Sequence, residues 1–460
     1  MKKLIVTLAA VIAAGVVNAA KFEWKLAPDR VDGLYKSGET VKFTFSGKLD
    51  GTPIPEGTKF ACGWRCGNER VEKFALVMTG DALTIERPVT ETCYYSLSMM
   101  PLDADGKPAT KEWLGAGCTV LCNMDQVKLP EGTVPGDFDA WWDAEVAAQK
   151  QIPMEVKRTV RGLYDGADEA RKKVIASRQW MIDNYNRCNC YDVRIKAAGE
   201  NWTAGGLVTP KKEGKFPAII QFYGVGWDGV CMIDTMQAVN NNAIVFHVNC
   251  HGLPDGTNWE DGYQAMKKRI EDYAATKPEW QKYYPKIGMG EGRDNWYFRY
   301  VYLRAARAVE YIKTLPEWDG KTIIVRGASQ GSAQSIAAAA LAEGVTHMYI
   351  GISAVSDLSG SKSKPKRRCG WPFNVRSDAP YPEAGYFDTV NFVHRLHGKK
   401  IFLCFGLSDG LVQPCGPAAI WNSIPADNEK ELLVEACRGH DGPWCQGEFQ
   451  KRIAPVCRGK

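Results

Sequence analysis

The chain has 460 residues, a formal net charge of +5, 45% hydrophobic residues and 24% charged ones. This length suits two or three domains, and the composition is that of a packed globular protein rather than a disordered or fibrous one. So small a positive charge on so long a chain gives no reason to expect a nucleic acid or a membrane surface as partner.

The first residues read as a leader. Lys2-Lys3 is a basic start, Leu4 to Val17 is apolar but too short to span a bilayer, and Val17-Asn18-Ala19 is a small-residue cleavage site. Residues 1–19 are therefore expected to be a signal peptide cut after Ala19, which makes the mature protein secreted or periplasmic. No Cys stands at the cleavage point to carry a lipid anchor, and no later apolar run is long enough for a membrane span. Fifteen cysteines fit an exported protein that forms disulfides, with at least one thiol left over. Cys62-x3-Cys66 and Cys118-x3-Cys122 have a spacing also met in zinc sites, but disulfides are the preferred reading after export, and no metal is expected.

Residues 20–126 read as a small all-β, immunoglobulin-like sandwich. Val41–Phe45 alternates at period two, and Ala75–Met78 and Tyr94–Ser98 are further strand candidates, separated by turns such as Leu49-Asp50-Gly51 and Asp103-Ala104-Asp105-Gly106. This part has no cluster of His and acids. Its expected role is packing or spacing, with carbohydrate binding through exposed aromatics such as Trp64 as the alternative. Residues 127–136 form a Pro/Gly-bearing linker, and a helix over 137–150 presents Phe138, Trp141 and Trp142 on an apolar face.

From Phe216 onward strands and helices alternate, the pattern of a mostly parallel sheet flanked by helices. Strands are expected at Pro217–Tyr223, Ala243–Val248, Thr322–Val325, Met348–Val355, Lys400–Phe405 and Glu431–Ala436. An amphipathic helix is expected over Tyr297–Lys313, a helical insertion around Tyr263–Ala274, and a closing helix near 447–453.

Gly327-Ala328-Ser329-Gln330-Gly331 is a G-x-S-x-G pattern between a β-branched strand and an Ala-rich helix former. That context defines the nucleophile elbow of α/β-hydrolases, so residues 137–460 are expected to form an α/β-hydrolase domain with Ser329 as nucleophile. A serine needs a His to take its proton and an acid to orient that His, in the chain order Ser, acid, His. Of only six histidines, His440 alone sits in a Gly-flanked loop after the last strand. Asp409 follows the Lys400 strand and is preferred as the acid over Asp357; Asp441 is too close in sequence to grip the far nitrogen of His440. The oxyanion needs two backbone N–H donors. Gln330 supplies one, and the loop Gly224-Val225-Gly226 the other, with Val225 preferred to Gly224.

From about Pro135 the chain resembles the acetyl xylan esterase and cephalosporin C deacetylase family of α/β-hydrolases. The resemblance rests on Pro135-Gly136-Asp137-Phe138-Asp139-Ala140-Trp141-Trp142, on Tyr297–Val309 with Leu315-Pro316-Glu317-Trp318, and on Arg326-Gly327-Ala328-Ser329-Gln330-Gly331. It extends through Tyr386–Phe392, Gly406-Leu407-Ser408-Asp409 and Gly439-His440-Asp441, the last with Asp where the family has Glu. It implies Ser329, Asp409 and His440 as the triad of a serine carboxylesterase that needs no cofactor. The implied substrate is acetylated xylan or its oligosaccharides, and the resemblance also implies self-association. A deacetylase acting on another small acetyl ester, and a carbohydrate-binding protein that has lost catalysis, are the alternatives. Two departures stand out. Asn249-Cys250-His251 replaces the family's Arg-Gly-Gln, and Val225 stands where an aromatic residue is usual.

Overall fold

Alternating aromatic residues build the N-terminal layer. Phe43 and Phe45, two apart on the strand Thr40–Leu49, point to one face, as period-two geometry requires. They meet Trp64 and Phe60 of the strand Lys59–Cys66 edge-on, with ring centroids 5.8 and 5.1 Å apart. The two strands lie in different sheets, one of four strands and one of five among the described residues, so these rings form the core of a β-sandwich. Burial of each such ring contributes about 1.5–3 kcal/mol. Trp64 is thus a core residue, 2% exposed and stacked on Tyr95, and not the exposed sugar platform considered from sequence.

The computed structural model describes residues 22–49, 51–108, 116–165, 167–199, 201–225, 234–253, 259–275, 284–360, 367–368, 370–372 and 382–459. The expected leader and Gly226 of the expected oxyanion loop lie outside these residues.

The second layer is an α/β-hydrolase fold. Nine strands form one sheet in the order Val156–Val160, Cys188–Lys196, Trp202–Pro210, Ile244–Asn249, Phe216–Phe222, Trp318–Ala328, His347–Gly351, Lys400–Gly406, Glu429–Glu435. The first three run antiparallel to their neighbours, and the last six are mutually parallel. The central strands are buried along nearly their whole length, which is why they read as continuous Ile/Val/Phe runs. The helix Phe298–Ile312 is buried almost all round and carries two buried arginines. Both donate to backbone carbonyls: Arg304 to Cys250 O (2.8 Å), and Arg307 to Lys196 O (2.9 Å) and Ile152 O (2.7 Å). The serine helix, Gln330–Leu341, is buried on every side, and its small Ala side chains permit the close approach.

Three sequence expectations need correcting. The strand expected over Met348–Val355 ends at Gly351, because Ile352, Val355 and Asp357 adopt positive φ (40°, 57° and 53°) and turn the chain out of the sheet. The closing helix is longer than expected, Gly442–Cys457, because Asp441 caps it by accepting the Trp444 N–H (2.9 Å). The strand-rich lead-in expected before Phe216 has Tyr191–Ile195 and Gly206–Val208 in strands, but it also holds two helices that were not expected, Glu169–Ala176 and Gln179–Asn186. Asp168, which caps the first by accepting the Arg171 N–H (2.8 Å), was their signal in the sequence.

Candidate active site

Ser329 sits on the turn between the strand Trp318–Ala328 and the serine helix, with φ 58° and ψ −127°. A non-Gly residue held there is strained by about 1–3 kcal/mol. The flanking glycines make the turn passable. A Cβ on Gly327 would lie 2.2 Å from Gly331 O, and one on Gly331 would lie 2.5 Å from Phe222 O. Backbone hydrogen bonds then fix the turn. Ser329 N–H donates to Gly351 O (3.0 Å), and Ser329 O accepts from Ser332 N–H (3.0 Å) and Ala354 N–H (3.2 Å).

His440 and Asp409 meet across the ends of the last two strands, where His440 Nδ1 lies 2.8 Å from Asp409 Oδ2. The other carboxylate oxygen, Oδ1, accepts the Leu411 and Val412 N–H groups at 2.8 and 2.9 Å. The Asp409 side chain is 1% exposed and that of His440 26%. The acid is therefore fixed, while the imidazole keeps an open edge. The competing acids are placed elsewhere. Asp357 is buried against Arg367 (3.2 Å), and Asp441 is the helix cap already described, paired with Arg438.

Ser329 and His440 line one cavity of about 640 Å³. Val225 and Leu411, 43% and 55% exposed, stand on its wall, and Gly224, Val412 and Trp371 line it as well. Gln221, His247 and Gln446 add polar side chains to the lining. Gln221, His247 and Arg326 stand side by side in register on neighbouring strands. Burial, followed by the nearby Arg326 charge, pushes the His247 imidazole down to about 3, so it stays neutral and offers hydrogen bonds without charge. Arg326, 1% exposed, donates to Gln446 Oε1. Among the described residues no group of three or more His, Cys, Asp or Glu is arranged to hold a metal ion.

Sequence reading missed the support beneath Gln330. Its Oε1 accepts from Tyr284 OH (2.5 Å), the Tyr284 ring meets His251 edge-on (4.6 Å), and His251 Nδ1 lies 2.8 Å from Tyr297 OH. The departure from the family motif is thus a packed polar loop. Asn249 Oδ1 accepts the His251 N–H (2.8 Å), and Gly252 takes φ +68° with its Cα against Trp202 O. Tyr284 gave no local signal, since it follows a long polar insertion.

Several of the described cysteines are neighbours in space: Cys118 with Cys437, Cys93 with Cys66 and Cys415, and Cys404 with Cys445.

The sheet order, the strained serine turn and the His–Asp pair define the class: the chain is an α/β-hydrolase. Its family resemblance follows from comparison. Residues 168–359 match the family model described as acetyl xylan esterase (AXE1). Acetyl esterase Axe7A of Xylanibacter ruminicola is 29% identical over 461 residues, covering 96% of this chain and 93% of that protein, so the alignment takes in the N-terminal β region. Two solved structures share the fold over much of the chain. Acetyl xylan esterase from Paenibacillus sp. R4 has a TM-score of 0.56 at 20% identity, over 72% of this chain and 97% of its own. Acetyl xylan esterase 1 from Thermoanaerobacterium sp. JW/SL YS485 has a TM-score of 0.52 at 19% identity, over 72% and 96%. The resemblance read from the sequence therefore holds, and the chain is a carboxylic ester hydrolase.

Proposed function

We propose that the chain is an exported serine carboxylesterase that removes acetyl groups from acetylated xylan or xylo-oligosaccharides. The observation that carries this reading is the 2.8 Å His440–Asp409 pair at the cavity that also holds strained Ser329. Asp409 orients His440 through Nδ1, which leaves Nε2 to take the Ser329 proton. Ser329 Oγ attacks the acetyl carbonyl, and the N–H groups of Gln330 and Val225 hold the oxyanion. His440 returns the proton to the departing sugar oxygen. Water, deprotonated by the same His440, then hydrolyses the acetyl-enzyme to acetate and restores Ser329. The apolar Val225 and Leu411 suit the acetyl methyl, and the polar side chains of Gln221, His247 and Gln446 suit sugar hydroxyls.

A second reading, deacetylation of a different small ester, draws on Asn249-Cys250-His251 standing where the family has Arg-Gly-Gln. We read residues 20–126 as a β-module, 127–136 as a linker and 137–460 as the catalytic domain, preceded by the signal peptide over 1–19. Among the described residues no helix is long and apolar enough to cross a membrane. In the exported protein the neighbouring cysteines, Cys118 with Cys437 and Cys404 with Cys445, are read as disulfide partners. Peptide mapping by mass spectrometry without reductant would recover both as linked peptides.

The test of function is acetate release from a panel of acetylated xylo-oligosaccharides and small acetyl esters. Wild-type turnover fastest on the oligosaccharides supports the first reading, and turnover confined to other esters supports the second. Glycan binding with no turnover on any ester would leave only a lapsed, carbohydrate-binding role.

A further inference from the structure

The N-terminal β-module touches the two loops that carry Asp409 and His440, and it does so through hydrogen bonds. The strand Ala116–Cys122 pairs on one side with Tyr94–Pro101, but on the other, among the described residues, only Leu121 and Cys122 find strand partners, in the two-residue strand Leu34–Tyr35. At Thr119 its edge N–H points to the catalytic domain and donates to Ser408 Oγ (3.1 Å). The Ser408 hydroxyl in turn donates to Ala436 O (2.7 Å), and the Ser408 N–H to Arg438 O (3.0 Å). Ser408 precedes Asp409, and Ala436 and Arg438 belong to the loop that delivers His440. One hydroxyl therefore ties together the β-module, the acid loop and the histidine loop.

Two further contacts join the same parts. Ala436 N–H donates to Val31 O (2.9 Å), beside Gly33, whose φ of +66° lets the module approach closely. A Cβ on Gly33 would lie 2.8 Å from Ala436 Cβ and 2.9 Å from Leu407 Cδ1. Tyr94 OH donates to Gln413 Oε1 (3.0 Å), next to Val412, whose N–H holds the Asp409 carboxylate. Within the catalytic domain Gly406 packs against the same loop, since a Cβ there would meet Arg438 O at 2.2 Å.

We propose that the N-terminal β-module is a positioning element of the active site and that Ser408 is the positioning residue through which it acts. The proposal rests on the reading of Asp409 and His440 as the acid and base. The module sets the separation of the acid and histidine loops, and with it the line from Asp409 through His440 to Ser329. Small errors along such a line are costly, about 10²-fold in rate for a displacement of about 1 Å.

The test is steady-state hydrolysis of 4-nitrophenyl acetate by the full chain. Ser408→Ala removes both hydroxyl bonds and is expected to lower kcat about tenfold while KM stays within about twofold, since the substrate-binding wall is untouched. Ser408→Thr keeps the hydroxyl and is expected to recover most of the loss. Tyr94→Phe, which removes the contact to Gln413 from the module side, is expected to lower kcat in the same direction and serves if Ser408→Ala does not fold. Ser329→Ala and Asp409→Asn are measured alongside. Wild-type kcat in Ser408→Ala and Tyr94→Phe with both catalytic variants inactive would overturn the positioning role and leave the triad standing. So would a fall in thermal stability alone, with kcat unchanged. Full activity in Ser329→Ala or Asp409→Asn would overturn the triad reading and the proposal with it.

Discussion

Asp409 has every carboxylate lone pair it needs directed before substrate arrives: two backbone N–H groups on Oδ1 and the imidazole on Oδ2. Asp409→Asn would keep this shape but reverse the His440 tautomer, so kcat should fall by about 10³- to 10⁴-fold with the fold retained; stopped assays with circular dichroism as the fold control check this. Ser329 carries a conformational cost of its own. At an ordinary site Ala is more stable than Gly, but at φ 58° the order should invert, with Ser329→Gly exceeding Ser329→Ala by about 1 kcal/mol in denaturant unfolding. His247 makes a third prediction. Its imidazole is held down to about 3 by burial and by Arg326, against an ordinary value of 6.5. The unfolded chain therefore binds a proton that the folded chain refuses, and stability falls as pH drops from about 6.5 toward 3. In His247→Gln this part of the acid sensitivity should vanish, seen as a smaller drop in melting temperature between pH 7 and pH 5.

The strand–turn–helix around Ser329 was legible at the level of the element because three local rules coincide there: a β-branched strand, glycines that a tight turn demands, and an Ala-rich helix. The candidate acid and base stood out because their loops follow short apolar strands and His is scarce. Legibility failed where local preference lost to context. Met348–Val355 looks like one β-branched strand, yet positive φ at Ile352 and Val355 ends it early. Tyr284, which braces Gln330, follows the helical insertion in a stretch with no periodicity, so only the folded chain brings it under the elbow. Close packing at this element makes a contrast of glycines informative. Gly331→Ala would drive a Cβ into Phe222 O at 2.5 Å and should destabilise by about 1–3 kcal/mol. Gly447→Ala, in the helix Gly442–Cys457 with nothing within 4 Å of the new Cβ, should stabilise by about 0.5–1 kcal/mol. Chemical denaturation of the two variants gives both signs.

In the molecule as a whole, an all-β module precedes an α/β-hydrolase, and their junction lies at the loops of the candidate acid and base. The two fold types were readable from the change in hydrophobic period near Phe216. The junction was not, because it depends on single groups such as Ser408 Oγ and the Thr119 N–H that carry no sequence pattern. Trp64 illustrates the same limit: as a residue type it suits sugar stacking, but pairing of the two sheets buries it. The mechanism proposed for the assembled molecule turns on an acetyl group bound to Ser329. Rapid-quench mass spectrometry during turnover of an acetylated xylo-oligosaccharide tests it most directly. The account predicts acetylation on the peptide containing Ser329, absent in Ser329→Ala, which should release no acetate above the uncatalysed rate. Acetate release by Ser329→Ala at the wild-type rate, with no acetylated Ser329 peptide in the wild type, would contradict it.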